Sequence, residues 1–268
     1  VLKLSSPTLR QLAESLIIVA IAGCTTAPSQ NRWGDNAEQG ITWNRTAGAA
    51  LDAAKSPAVW IPLAGAAVLQ VDNWDHSIST WATEHTPIFG SNQKASQATD
   101  DMEIVAGLGT LASWLAIPAD GDWGAKNRQG IVGLGALAAS SLATESLKAV
   151  SGRARPNGHG DSFPSGHATF VAAADTLTVR NLESVPMSPS AQTAFTVGTY
   201  ALTAATAWGR VEAGAHYPSD VLVGVAIGNF FARWFNGAFL DDRRANRLQL
   251  SVQPWMRDGA QLTWNWRF

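Results

Sequence analysis

The sequence predicts a mainly α protein, a helical bundle with an active site at the helix ends, plus a C-terminal β-hairpin. Three observations carry this. From about Thr46 most of the chain is Ala-rich and sparsely charged, the texture of packed helices. Helix-opening signals recur within it, Ser165-Gly166 and Pro218-Ser219 among them. Only near the end does the period change to two. Leu248, Leu250 and Val252 alternate with Gln249, Ser251 and Gln253, and Leu262, Trp264, Trp266 and Phe268 alternate with Thr263, Asn265 and Arg267.

A chain of 268 residues can form one large domain or two modest ones. Hydrophobic residues make up 46% and charged residues 15%, and Trp occurs 12 times. This balance points to contact with a membrane surface or to an unusually apolar helical body. A net charge of −2 provides no basic face for nucleic acid.

Taken in order, residues 1–23 read as an export signal. Lys3 and Arg10 precede a short apolar run, Leu16 to Gly23, and polar Thr25-Thr26 follow, although Glu14 is discordant. Ile21-Ala22-Gly23-Cys24 resembles the lipobox of bacterial lipoproteins. The resemblance implies lipidation at Cys24 and a place in the bacterial cell envelope, periplasm-facing and lipid-anchored, with Thr25 favouring the outer membrane. Residues 24–45 read as a polar, Gly-containing tether. A helical domain is expected over 46–240, with helices near 46–70, 101–117, 129–150, 166–182, 191–209 and 219–238. The uncharged runs Ser56 to Val71, Ile104 to Ala119 and Gln129 to Thr144 each fall short of the roughly 20 apolar residues of a span. A compact helical domain in partial contact with a membrane fits them better than six full spans. The tail, 247–268, is expected as a hairpin turning at Arg257-Asp258-Gly259, and two strands cannot close a barrel.

Chemistry concentrates between residues 148 and 220, in Lys148-x6-Arg155-Pro156, Pro164-Ser165-Gly166-His167 and Arg210-x5-His216-x3-Asp220. Proline disfavours helix at the residue before it, so Arg155 is expected to be extended and to face Lys148. Two cations and a proline by themselves describe a solvated helix end. Ser165 suits an N-cap, where free N–H groups favour an anion and where His167 stands in the first turn, placed to donate a proton. His216 precedes the helix that Pro218-Ser219 opens. Asp220 is expected to reach back and hold one ring nitrogen, leaving the other to attack. Each segment alone has a bland explanation; all three at ends of apolar helices, with phosphate-binding or acid-base groups, do not.

Together these motifs resemble those of the type 2 phosphatidic acid phosphatase superfamily, which also holds class A acid phosphatases and vanadium-dependent haloperoxidases. The resemblance implies that His216 attacks phosphorus to form a phosphohistidine, with Asp220 activating it. His167 would protonate the leaving oxygen and then activate water. Lys148, Arg155 and Arg210, with Ser165 and the Gly166 N–H, would neutralise the phosphate oxygens without a metal or cofactor. One departure is Gly209, where the family usually has serine. His159, His76 and His85 are expected at the surface, and Glu145 as a partner of Lys148.

The expected partner is a phosphorylated membrane lipid such as phosphatidate, phosphatidylglycerol phosphate, an isoprenyl diphosphate or a lipid A phosphate. The alternatives are a non-specific acid phosphatase on small phosphate esters, a vanadate-dependent haloperoxidase, and a non-catalytic envelope lipoprotein. A pure binder has no need of a nucleophile pair.

Overall fold

The computed structural model describes residues 43–118 and 123–240, together with the backbone of 249–255 and 259–265. The signal segment, Cys24 and most of the tether lie outside the described residues.

Prolines and short polar residues set the helix boundaries. Pro57 holds Ser56 extended (φ −65°, ψ 134°), so the stretch expected as one helix over 46–70 is two, α1 (Trp43–Lys55) and α2 (Pro57–Val68). A 3₁₀ turn, Val71–Asn73, leads into α3 (Trp74–His85), which the polar sequence around His76 did not announce. The helix expected from residue 101 starts earlier, as α4 (Asn92–Ala116), because the Ser91 hydroxyl accepts the Lys94 N–H at 3.2 Å. Then follow α5 (Trp123–Ser151), α6 (Gly166–Leu182), α7 (Pro189–Glu212) and α8 (Pro218–Phe239). Beyond them, β1 (Gln249–Trp255) and β2 (Gly259–Asn265) pair antiparallel along the backbone. The turn expected at Arg257-Asp258, and both ends of the tail, lie outside the described residues.

The fold is mainly helical and is organised around α6. Most of this helix is apolar or small and buried, and it packs on α4, α5, α7 and α8. Its closest neighbour is α8, through two glycines. A Cβ at Gly224 would lie 2.6 Å from the Ser165 carbonyl oxygen, and one at Gly228 would lie 2.2 Å from that of Thr169. Backbone against backbone sets the two N-termini side by side, and there Ser165 N–H donates to the Asp220 carbonyl at 3.0 Å.

A buried carboxylate fixes the loop above this end. Glu212, fully buried, accepts the backbone N–H groups of Ile88 and Phe89 at 3.1 and 3.0 Å, as well as the Trp208 indole N–H. The α3–α4 connection is thereby tied to the end of α7, and the start of α4 is carried to the helix ends where the three motifs meet.

Candidate active site

The loop between α5 and α6 is built to turn back on itself. Gly158 and Gly160 take positive φ (78° and 74°), a conformation disfavoured for side-chain-bearing residues. Arg155 N–H bonds the Gly160 carbonyl at 3.2 Å, and Ser162 N–H bonds that of Arg153 at 2.7 Å. The fold brings Ser162, Ser165, His167, Arg210, His216 and Asp220 to one end of the bundle.

His216 is 2% exposed, and its Nδ1 lies 2.7 Å from the Ser162 carbonyl oxygen. A carbonyl only accepts, so Nδ1 carries the proton and Nε2 keeps its lone pair. Burial, then the positive charge of Arg210, and further Arg155 and Lys148, push the imidazole pKa well below its ordinary value, against the raising effect of the Ser162 carbonyl. The neutral, nucleophilic form is therefore the resting form.

This corrects the expected role of Asp220. Its carboxylate does not hold His216; it accepts the Ser162 hydroxyl at 2.5 Å, the Tyr217 N–H at 2.8 Å and Arg153 Nη1 at 2.6 Å. The physical reason is the cap. As the third residue of α8, Asp220 folds back on the free N–H of Tyr217, while the carbonyl of Ser162 reaches the ring. Asp220 therefore acts on His216 only through Ser162. Burial raises its pKa, opposed by the Ser162 and Tyr217 hydrogen bonds and by Arg153.

Arg153 was not singled out by the sequence, although it lies inside the first motif. Besides Asp220 it binds Asp75 (2.7 Å) and the Ser219 hydroxyl (2.9 Å), and its guanidinium lies 4.1 Å from the Tyr217 ring centroid. Asp75 in turn accepts the Ser219 N–H at 2.7 Å. This network fixes the start of α8, and with it His216. Nothing in the sequence around Asp75 signals that role.

Three cations face the nucleophile. Arg210 is 6% exposed; its Nη1 donates to Thr99 Oγ1 at 3.2 Å, and its Nε is buried with no partner among the described residues. Lys148 Nζ pairs with Glu145 at 2.7 Å and stands 3.4 Å from where a Cβ on Gly166 would lie, so glycine leaves room for the ammonium. Arg155 Nε donates to the Asp161 carbonyl at 3.1 Å. Like charges held together around an unsatisfied guanidinium N–H make a site for an anion. Ser165 is buried and caps α6, its hydroxyl accepting the Ala168 N–H at 3.4 Å. His76, His85 and His159 are exposed.

The second histidine has partners the sequence reading missed. His167 Nε2 lies 2.9 Å from Asp100 and 3.2 Å from Glu103, both on α4. Asp100 also stands 3.6 Å from Arg210. Burial and Arg210 lower the pKa of His167, while Glu103 and Asp100 raise it. The signal was present as the acidic run Asp100-Asp101-x-Glu103 at the start of the helix expected over 101–117. The same helix explains Gly209. A Cβ there would lie 2.5 Å from Thr99 Cγ2, and the Thr99 hydroxyl occupies the space beside Arg210.

Residues 130–244 match the PAP2 superfamily model. No curated protein matches the chain at a significant level. Among solved structures, the crystal structure of the first transmembrane PAP2 type phosphatidylglycerolphosphate phosphatase from Bacillus subtilis is similar in fold. It has a TM-score of 0.51 and 19% identity, covering 72% of this chain and 95% of that one. Lys148, Arg155, Ser165, Gly166, His167, Arg210, His216 and Asp220 all fall inside the matched segment, and the chain carries a PAP2 superfamily domain.

Proposed function

We propose that the protein is a phosphatase that hydrolyses a phosphate ester or diphosphate of a membrane lipid through a phosphohistidine at His216. The observation that carries this reading is the buried, neutral His216, its Nδ1 committed to Ser162, set among Lys148, Arg155 and Arg210. In the first step Nε2 attacks phosphorus and the bond to the leaving oxygen breaks, with His167 supplying that oxygen's proton. In the second, His167 takes a proton from water, the resulting oxygen attacks phosphorus, and the P–N bond breaks to release phosphate. The cations stabilise the equatorial oxygens throughout, so no step calls on a metal.

The lipid part of the reading rests on α5. Residues Lys126–Ser151 form a helix long and apolar enough to cross a membrane, with 17% of its apolar window buried. Ile131, Leu134 and Leu142 on it are exposed at 69%, 69% and 71%. Such a surface suits contact with lipid. Anchoring at Cys24 at a periplasm-facing surface is part of the same reading, and radiolabelled palmitate incorporated into wild type but not Cys24→Ala would support it.

The test is phosphate release, with EDTA present, from lipid phosphates and from small esters, beside His216→Ala. The reading requires release from lipids that is lost in the variant. Release confined to small esters would make it a non-specific acid phosphatase, and no release from either would overturn it.

A further inference from the structure

The stripes that carry the site continue below it as an apolar groove of about 550 Å³. On α4, Asp100 and Glu103 are followed at helical steps by Gly107 and Trp114, which line the groove. On α6, His167 is followed by Phe170, Leu177 and Asn181; on α5, Lys148 leads down to Leu137 and Gly130. Helices α4 and α5 both pack on α6 and scarcely touch each other, so the space between them stays open. Gly107 leaves its upper part unfilled; lower down, Trp114 of α4 packs on Gly130 of α5, where a Cβ would lie 2.9 Å from the indole, and its Nε1 donates to the Lys126 carbonyl at 2.9 Å. From Phe170 to Asn181 the groove runs about 17 Å, at 1.5 Å per helical residue.

Its far end is polar. Asn236 of α8 lines the groove and is 3% exposed, yet neither its Nδ2 nor its Oδ1 has a partner among the described residues. Beside it Asn181 donates to the Ser113 hydroxyl at 3.0 Å. Buried amides in native structures are almost always satisfied, so an unpartnered one facing a cavity marks a surface that something polar meets. An alkyl end pushed against Asn236 offers it no hydrogen bond, and entry past that point is disfavoured.

We propose that the groove is a chain-binding subsite of limited length, taking one linear alkyl chain whose phosphate lies at His216, with Asn236 as the polar floor that sets the limit. This rests on the phosphatase reading above and adds a length preference to it. An extended chain advances about 1.2 Å per bond, so the groove holds about 14 carbons. Within that length each methylene buried improves kcat/KM by up to about fourfold. Beyond it the gain stops.

The test uses the full chain in detergent. First, kcat/KM is measured on alkyl phosphates of increasing length, beside a short soluble ester. The proposal expects a rise that levels off near the groove's capacity. Gly107→Leu, whose Cβ would meet the Phe170 ring at an ordinary 3.6 Å, fills the upper groove. It should lower the ratio of long-chain to short-ester kcat/KM about tenfold. Asn236→Leu should remove the levelling-off. Second, a non-hydrolysable alkyl phosphonate with a terminal diazirine is photolysed on the protein and its adducts mapped. Adducts at Trp114, Asn181 or the Gly130 turn of α5 support the subsite. Adducts confined to the outer face of α5, or rates independent of chain length with His216-dependent hydrolysis intact, overturn it while the phosphatase reading stands. Adducts in the groove with no hydrolysis of any ester would instead sink the phosphatase reading and leave the subsite.

Discussion

At His216, burial and three neighbouring cations all push the pKa well down, whereas at His167 burial and Arg210 lower it against the opposing pull of two carboxylates, Glu103 and Asp100. This difference separates a nucleophile that stays neutral from an acid that must carry a proton. Because Asp100 raises the His167 pKa, Asp100→Asn lowers it further, and the alkaline limb of kcat/KM moves to lower pH. A pH–rate profile checks this; an unmoved limb would mean the 2.9 Å contact only orients the ring. Gly209 gives a second prediction at this scale. Gly209→Ser drives a Cβ into Thr99 and costs about 1–3 kcal/mol, and Thr99→Ala in the same chain recovers most of it. Thermal unfolding of the two single variants and the double variant measures the coupling. The chemical residues were legible because they cluster at helix starts and stops. Ser162, Asp75 and Thr99 were not, since each acts by being brought close from another element, and a backbone carbonyl has no letter in a sequence.

Among the helices, α6 and α7 share a buried carboxyl that the chemistry does not use. Asp175, 2% exposed, accepts the Thr203 hydroxyl at 2.6 Å, and burial pushes its pKa up to about 7. A carboxyl raised in the folded state lowers stability once pH exceeds its unfolded value. The cost therefore grows between about pH 4 and pH 7 and reaches about 4 kcal/mol above that range. Asp175→Asn should flatten the fall in melting temperature across this window and raise it at pH 8; an unchanged profile would contradict the assignment. Element positions were readable where apolar composition and caps agree, as at Gly166–Leu182. They failed where a proline split one apolar run at Ser56, and where α3 formed from a polar stretch, because its inward residues, Asp75, Ser79 and Ala82, are polar or small. Hydrophobic periodicity does not see a face buried by hydrogen bonds.

For the whole molecule, the backbone packing of α8 on α6 aligns two helix N-termini, and Arg153 and Glu212 lock the surrounding loops onto them. The nucleophile, acid and cations thus converge from segments far apart in sequence. The sequence read the convergence from its motifs, but the acidic wall that α4 contributes lies outside the matched family segment and depends on Glu212 holding the loop before it. The proposed chemistry makes one species unavoidable, a phosphoryl group on His216 Nε2. The decisive measurement is rapid denaturing quench during turnover of a radiolabelled lipid phosphate, followed by peptide mapping. The account predicts protein-bound label that is acid-labile and base-stable, mapped to the peptide carrying His216, and absent in His216→Ala. Turnover at full rate with no label, or with label on another residue, would contradict it.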